Sequence, residues 1–275
     1  MSEAAADLPR RRPLRALLAG PTALRALNRP AHGWVEIVID GGAYLRLDTG
    51  WVLVAAPRAP LGPLSVTVSG LRPGALVVAP GEEVHSDGRV LALGGLHVAL
   101  AGVRAPRRPP IASRGAAGVS SALRAAVAAC AAPPAELEPG LRTLAGESDA
   151  DSPAQAAREP SDAAVAVTLL AGRGDGLTPA GDDILAGFAA WRHAEGAPIL
   201  LSELAAERSS ALGLAYLQSA ERGELAQPVA RVLASVRRGD AALATAEARA
   251  LRAWGSSSGA ALLWGMAAAA DGRTS

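Results

Sequence analysis

From His32 to about Val103 the apolar positions fall in short, Val- and Leu-rich runs. Trp34 to Ile39 leads into Asp40-Gly41-Gly42, and Ala43 to Asp48 returns, which is the pattern of a β-hairpin with a tight turn. Further runs at 51–55, 64–69, 75–79, 90–93 and 96–101 are separated by Gly and Pro at the spacing of a small all-β unit. From Ala163 onward the pattern changes, and Ala and Leu recur at helical spacing. The predicted fold class is therefore α+β, with an N-terminal small β-sandwich or barrel-like domain followed by a mostly α-helical C-terminal domain. Residues 1–30 read as a helical or irregular leader, 31–110 as the β-rich domain and 111–131 as a helix. Residues 132–162, rich in Pro, Ala and acids without apolar periodicity, read as a flexible linker, and 163–275 as the helical domain.

Composition narrows the function. The chain has 275 residues, half of them hydrophobic, and a formal net charge of +1. That balance lacks the electrostatic footprint of a nucleic-acid or acidic-membrane binder. Every basic residue is Arg, so a Lys nucleophile or Schiff base is excluded. The single cysteine, Cys130, makes no internal disulfide and reads as a small buried hydrophobe. The basic run Arg10-Arg11-Arg12 precedes Leu14 to Leu18, which is too short for a signal-peptide core, and Gly259 to Ala270 is too short to cross a bilayer. The expectation is a soluble cytoplasmic protein.

Candidate chemistry concentrates in Gly172 to Gly187. Glycines at 172, 174 and 176 allow positive φ or close approach to a ligand, and Thr178-Pro179 reads as N-cap and first residue of a helix. A Gly loop opening a helix is a natural seat for an anion, with Gly174, Gly176, Thr178 and Gly181 as candidate binding residues. The spacing is GxGxG, neither a dinucleotide fingerprint nor a P-loop. Asp182 and Asp183 fall in the first turn, and the eight residues after them, Ile184 to Trp191, are uncharged, so the helix is expected to be buried. Two carboxylates there need a cation, an Arg or donors. They read either as a catalytic, ligand or Mg²⁺ site or as a buried structural pair.

A second segment, Ser256-x-x-Gly259-x-x-x-Leu263-x-Gly265, repeats the pattern of Thr178-x-x-Gly181-x-x-x-Leu185-x-Gly187. It adds Ser257, Ser258 and Gly259 as candidate ligand-binding residues and suggests two helix starts facing one pocket. It carries Ala260 and Ala261 where the first copy has the aspartates, so the acids are not needed to make the turn. His32, His85, His97 and His193 show no metal-ligand spacing, Ser209 and Ser210 read as helix caps, and Arg222 as a solvated helix end.

These two segments resemble the oxamate carbamoyltransferase subunit AllH family, whose signature is similar to G-x-G-x-G-L-T-P-[SA]-G-D-D-x-L-x-G followed by G-[HST]-[ST]-S-G-x-x-x-L-x-G. The resemblance extends over roughly residues 30–272 and includes Pro60 to Leu64 and Ala220 to Pro228. Ser256 stands where the family often has His, and 145–162 is an acidic insertion. The resemblance implies a role in purine-ring nitrogen salvage (allantoin degradation), in a multi-subunit complex interconverting oxalurate plus phosphate with oxamate plus carbamoyl phosphate. It implies a small anionic substrate of that class and other carbamoyltransferase subunits as partners. The competing expectation is a non-catalytic assembly or ligand-sensing subunit.

Overall fold

A computed structural model describes residues 14–72, 74, 76–106, 116–146 and 162–271. The chain divides into two compact units, residues 1–106 and 107–275.

In the first unit, eight strands are formed by Leu14–Ala19 (β1), Ala31–Ile39 (β2), Gly42–Leu47 (β3), Gly50–Ala55 (β4), Ser65–Val68 (β5), Glu83–Ser86 (β6), Val90–Leu93 (β7) and Leu96–Ala99 (β8). Helix α1, Pro21–Leu27, lies between β1 and β2 in the chain. The strands close into a barrel in the order β1-β5-β4-β3-β2-β6-β7-β8, so of the two β architectures expected it is the barrel that forms. The pairs β4–β5 and β1–β8 are parallel and the rest antiparallel. Alternate residues, among them Val35, Leu45, Val52, Val54, Val84 and Leu91, point inward and fill the interior, and closure gives every described strand a partner on both sides. The β2–β3 hairpin turns at Asp40-Gly41, where Gly41 takes φ +78° as the tight turn requires.

Three differences from the sequence expectation are informative. The segment read as a helical or irregular leader supplies β1, whose burial is confined to Ala16 and Ala19, so its apolar run lacks the strict alternation that marks a strand. Strand β6 escapes notice because Glu83 and His85 point outward and only Val84 and Ser86 inward, which leaves a single large apolar residue. Residues 76–79, expected as a strand, form none, and Val77 is 82% exposed.

In the second unit the helices are Ala116–Val127 (α2), Glu138–Leu144 (α3), Asp162–Leu170 (α4), Ala180–Ala194 (α5), Ser202–Ala205 (α6), Ala211–Glu221 (α7), Gln227–Arg237 (α8), Ala241–Arg252 (α9) and Ser258–Asp271 (α10). Helix α3 sits inside the stretch read as linker and docks Leu137 and Leu144 into the core. Residues 147–161, most of the acidic insertion, and the Arg10–Arg12 run lie outside the described residues. Helix α5 is buried at every residue from Ala180 to Trp191, as its charge-free run demands. Each of Ile184 and Leu185 contributes about 1.5–3 kcal/mol by leaving water. Helix α10 is its main neighbour, and the two are locked reciprocally. A Cβ on Gly187 would strike the Leu262 carbonyl, and one on Gly265 would strike that of Ile184. Backbone therefore meets backbone at the crossing, close enough for Cα–H···O contacts.

Candidate functional site

The loop between α4 and α5 turns through three glycines with positive φ, Gly172 (+74°), Gly174 (+94°) and Gly176 (+113°), as its spacing predicts. The helix starts one residue later than expected. Pro179 is the N-cap and makes no side-chain capping bond, and Thr178 stands before it. Released from capping, the Thr178 hydroxyl donates to Asp183 Oδ2 at 3.0 Å. It also lies 3.2 Å from Ser258 Oγ at the first turn of α10. The two motifs, read in the sequence as a loose repeat, thus meet at three oxygen-bearing side chains.

Adjacent residues on a helix point about 100° apart, so the two aspartates face different neighbours. Asp182, 1% exposed, is held by four donors. The Gly172 N–H (2.8 Å) and Ser209 hydroxyl (2.8 Å) reach Oδ1, and the Ser210 N–H (3.0 Å) and hydroxyl (3.3 Å) reach Oδ2. Ser210 also caps α7, accepting from the Gly213 N–H, and a side chain on Gly213 would collide with the Asp182 carboxylate. Asp182 therefore ties the glycine loop and the start of α7 to α5. With both oxygens facing N–H and O–H groups, it is not arranged as a cation ligand, and the two-carboxylate Mg²⁺ arrangement does not fit this donor set.

Asp183, 6% exposed, has a different environment. Burial is the main cause that lifts its pKa from 3.8 to about 7. The nearby Asp182 charge acts in the same direction, while hydrogen bonds from Ser258 and Thr178 offset part of the rise. The result is a carboxyl poised to gain or lose a proton at neutral pH, flanked by two hydroxyls. That is the property expected of a general acid–base group.

The remaining predicted residues divide by role. Gly181 presses on the Leu170 carbonyl at the end of α4, and Gly259 on the Leu251 carbonyl at the end of α9. The N–H groups of Gly181, Asp182 and Asp183 are already engaged, the first by the Arg173 carbonyl and the others by that of Pro179. The first turn of α5 therefore offers fewer anion-binding donors than its position suggests. A Cβ on Gly174 would press on Ala180 at 3.1 Å, Gly176 lies exposed in the loop, and Ser257 uses its carbonyl to accept from the Ala261 N–H. Among residues whose function the sequence did not disclose, Ser209 and Ser210 do more than cap: they complete the Asp182 cage. Their only sequence signal is a Ser-Ser pair before an uncharged helix start. His193 binds the Glu221 carbonyl at 2.9 Å, and Arg222 pairs with Glu224 at 3.4 Å.

A separate cavity of about 280 Å³ lies in the barrel unit, lined by Leu24, Leu27, Asn28, Val66, Leu100 and Val103 among others. None of the motif residues lines it. No described helix is long and apolar enough to cross a membrane.

The site therefore defines a class: a helical unit in which two glycine-loop helices bring a buried, protonatable carboxyl and two hydroxyls together. Residues 170–270, which contain both loops, match the family described as oxamate carbamoyltransferase subunit AllH. That match supports a subunit of an oxamate-carbamoyltransferase-related system. No curated protein and no solved structure matches the chain.

Proposed function

We propose that this chain is a subunit of a complex interconverting oxalurate plus phosphate with oxamate plus carbamoyl phosphate, and that Asp183 is its proton-handling residue. The observation that carries the reading is the meeting of Thr178, Asp183 and Ser258 across the two motifs spanned by the family match. The small anionic ligand sits at the glycine loop and the start of α10, and on its arrival the Thr178 and Ser258 hydroxyl protons turn from Asp183 to the ligand. A protonated Asp183 tolerates that negative charge, whereas two ionised aspartates would repel it. In the forward direction a phosphate oxygen bonds to the carbamoyl carbon and the bond from that carbon to the oxamate nitrogen breaks. Asp183 supplies the proton for the leaving nitrogen, and the proton given up by phosphate restores it. Other subunits of the complex complete the site, in the cytoplasm. No Mg²⁺ step enters this scheme.

The test is phosphorolysis of oxalurate by the complex reconstituted with its partner subunits, comparing wild type with Asp183→Asn. The expected result is a loss of kcat of at least about 100-fold, the contribution of a positioned acid–base group, with the complex still assembled. Unchanged turnover would transfer support to the second reading, a non-catalytic assembly or ligand-sensing subunit. The four structural donors around Asp182 are the observation that favours that alternative.

A further inference from the structure

The four histidines have no ligand spacing in the sequence, but the barrel brings two of them into register. His32 on β2 stands directly opposite His85 on the antiparallel neighbour β6. Both are exposed, their Nδ1 atoms are 2.8 Å apart, and the rings meet edge to face. A contact between two Nδ1 atoms requires one to carry the proton and the other a lone pair. Glu83 decides which, because its carboxylate lies 3.5 Å from His85 Nε2 and favours the proton there. That leaves His85 Nδ1 as acceptor and His32 Nδ1–H as donor. A carboxylate on the far nitrogen of an imidazole is also the arrangement that orients metal-ligating histidines and raises their basicity.

We infer that His32 and His85 form a bidentate site for a divalent transition-metal ion of the Cu²⁺ or Ni²⁺ type on the outer face of the barrel. The bite distance selects the geometry. With metal–nitrogen bonds of about 2.0 Å, nitrogens at a right angle stand about 2.8 Å apart, and at the tetrahedral angle about 3.3 Å. The 2.8 Å that the hydrogen-bonded pair already spans lies at the right-angle bite, so the least rearrangement leads to the tetragonal geometry that Cu²⁺ and Ni²⁺ adopt with imidazole. Binding needs that His32 move its proton from Nδ1 to Nε2 and that both rings, which are on the surface, turn by about 45° from the N···N line so that their lone pairs meet at one point. No net proton is released by that exchange. Among the described residues no third His, Cys, Asp or Glu completes the set, so water or an external ligand fills the other positions. Because the two histidines sit on adjacent strands, the ion clamps β2 to β6 and stabilises the barrel by mass action.

The full chain is titrated with Cu²⁺ and read by electron paramagnetic resonance, with Ni²⁺-dependent thermal shifts alongside. The expected result is one equivalent bound with nitrogen hyperfine structure from two imidazoles, and a rise in Tm with Ni²⁺. His32→Asn and His85→Asn should each weaken binding at least 10-fold and abolish the Tm rise, and Glu83→Gln should weaken it several-fold. Both histidines are on the surface, so these variants keep the barrel. A wild-type spectrum showing one imidazole, or binding unchanged in the double variant His32→Asn/His85→Asn, would overturn the assignment.

Discussion

Replacing Asp183 with Asn removes an ionisation while keeping the shape of the side chain, and its effect on stability follows from the burial of that group. In the unfolded chain the carboxyl titrates near 3.8, and in the folded protein near 7. Between those values the folded state holds a proton that the unfolded state has lost, so stability falls as pH rises through the window. At 1.36 kcal/mol per pH unit the full fall is about 4 kcal/mol, complete above the folded value. The Asn variant has no such term. Urea midpoints and slopes for both chains, from pH 4.5 to 7.5, isolate it, because the other titrating groups are common to the two and, apart from the neighbouring Asp182 whose charge acts on Asp183, cancel in the difference. The expected outcome is that wild type loses most of that stability relative to Asp183→Asn as pH rises, the variant becoming the more robust chain at pH 7.5. In the reconstituted enzyme the same ionisation should appear as a limb near pH 7 in kcat/KM. A stability difference that is flat across the window, or that moves the opposite way, would refute the claim that this carboxyl is protonated near neutrality.

Asp182→Asn should act differently from its neighbour. An amide cannot accept from all four donors, and losing charge-assisted bonds in a buried site costs about 2–4 kcal/mol at pH 7, measurable as a lower urea midpoint. Ser258→Ala removes a bond that favours the charged form of Asp183, so the ionisation seen in the pH series should move upward by about 0.5–1. Gly187→Ala gains about 1 kcal/mol of helix propensity but forces a methyl onto the Leu262 carbonyl, and the net effect is a loss of at least about 2 kcal/mol in thermal or urea unfolding. Glu221→Gln weakens the triple hold on the Leu201 N–H, Ser202 N–H and Ser202 hydroxyl and should cost about 1–3 kcal/mol by the same assay.

The features readable in the sequence were those that local pattern controls. The uncharged run after Asp183 dictated a buried helix, the Asp40-Gly41 turn dictated a hairpin, and the glycines at 172, 174 and 176 took the positive φ their spacing suggested. The pairing of the two loops was also visible as a shared pattern, and the fold brings Thr178 and Ser258 together. What stayed hidden depends on partners distant in the chain. Asp182 and Asp183 are equivalent in sequence, and only the placement of Ser209 and Ser210 on one side and Ser258 on the other separates a structural anchor from a protonatable group. Strands β1 and β6 were missed because the barrel asks each for only two buried positions, filled by small or polar side chains as much as by large apolar ones. The His32–His85 pair arises from strand register across 53 residues, a separation at which no spacing rule applies.

The glycine crossing of α5 and α10 fixes the spacing of the site independently of its side chains. The separation between the two loop mouths is set deeper in the bundle, by Gly187 and Gly265, and not by the residues that do chemistry at the mouths. Substitutions at Ser256, or at Ala261 where the first loop has Asp183, lie outside that crossing and leave the gap between the loops unchanged.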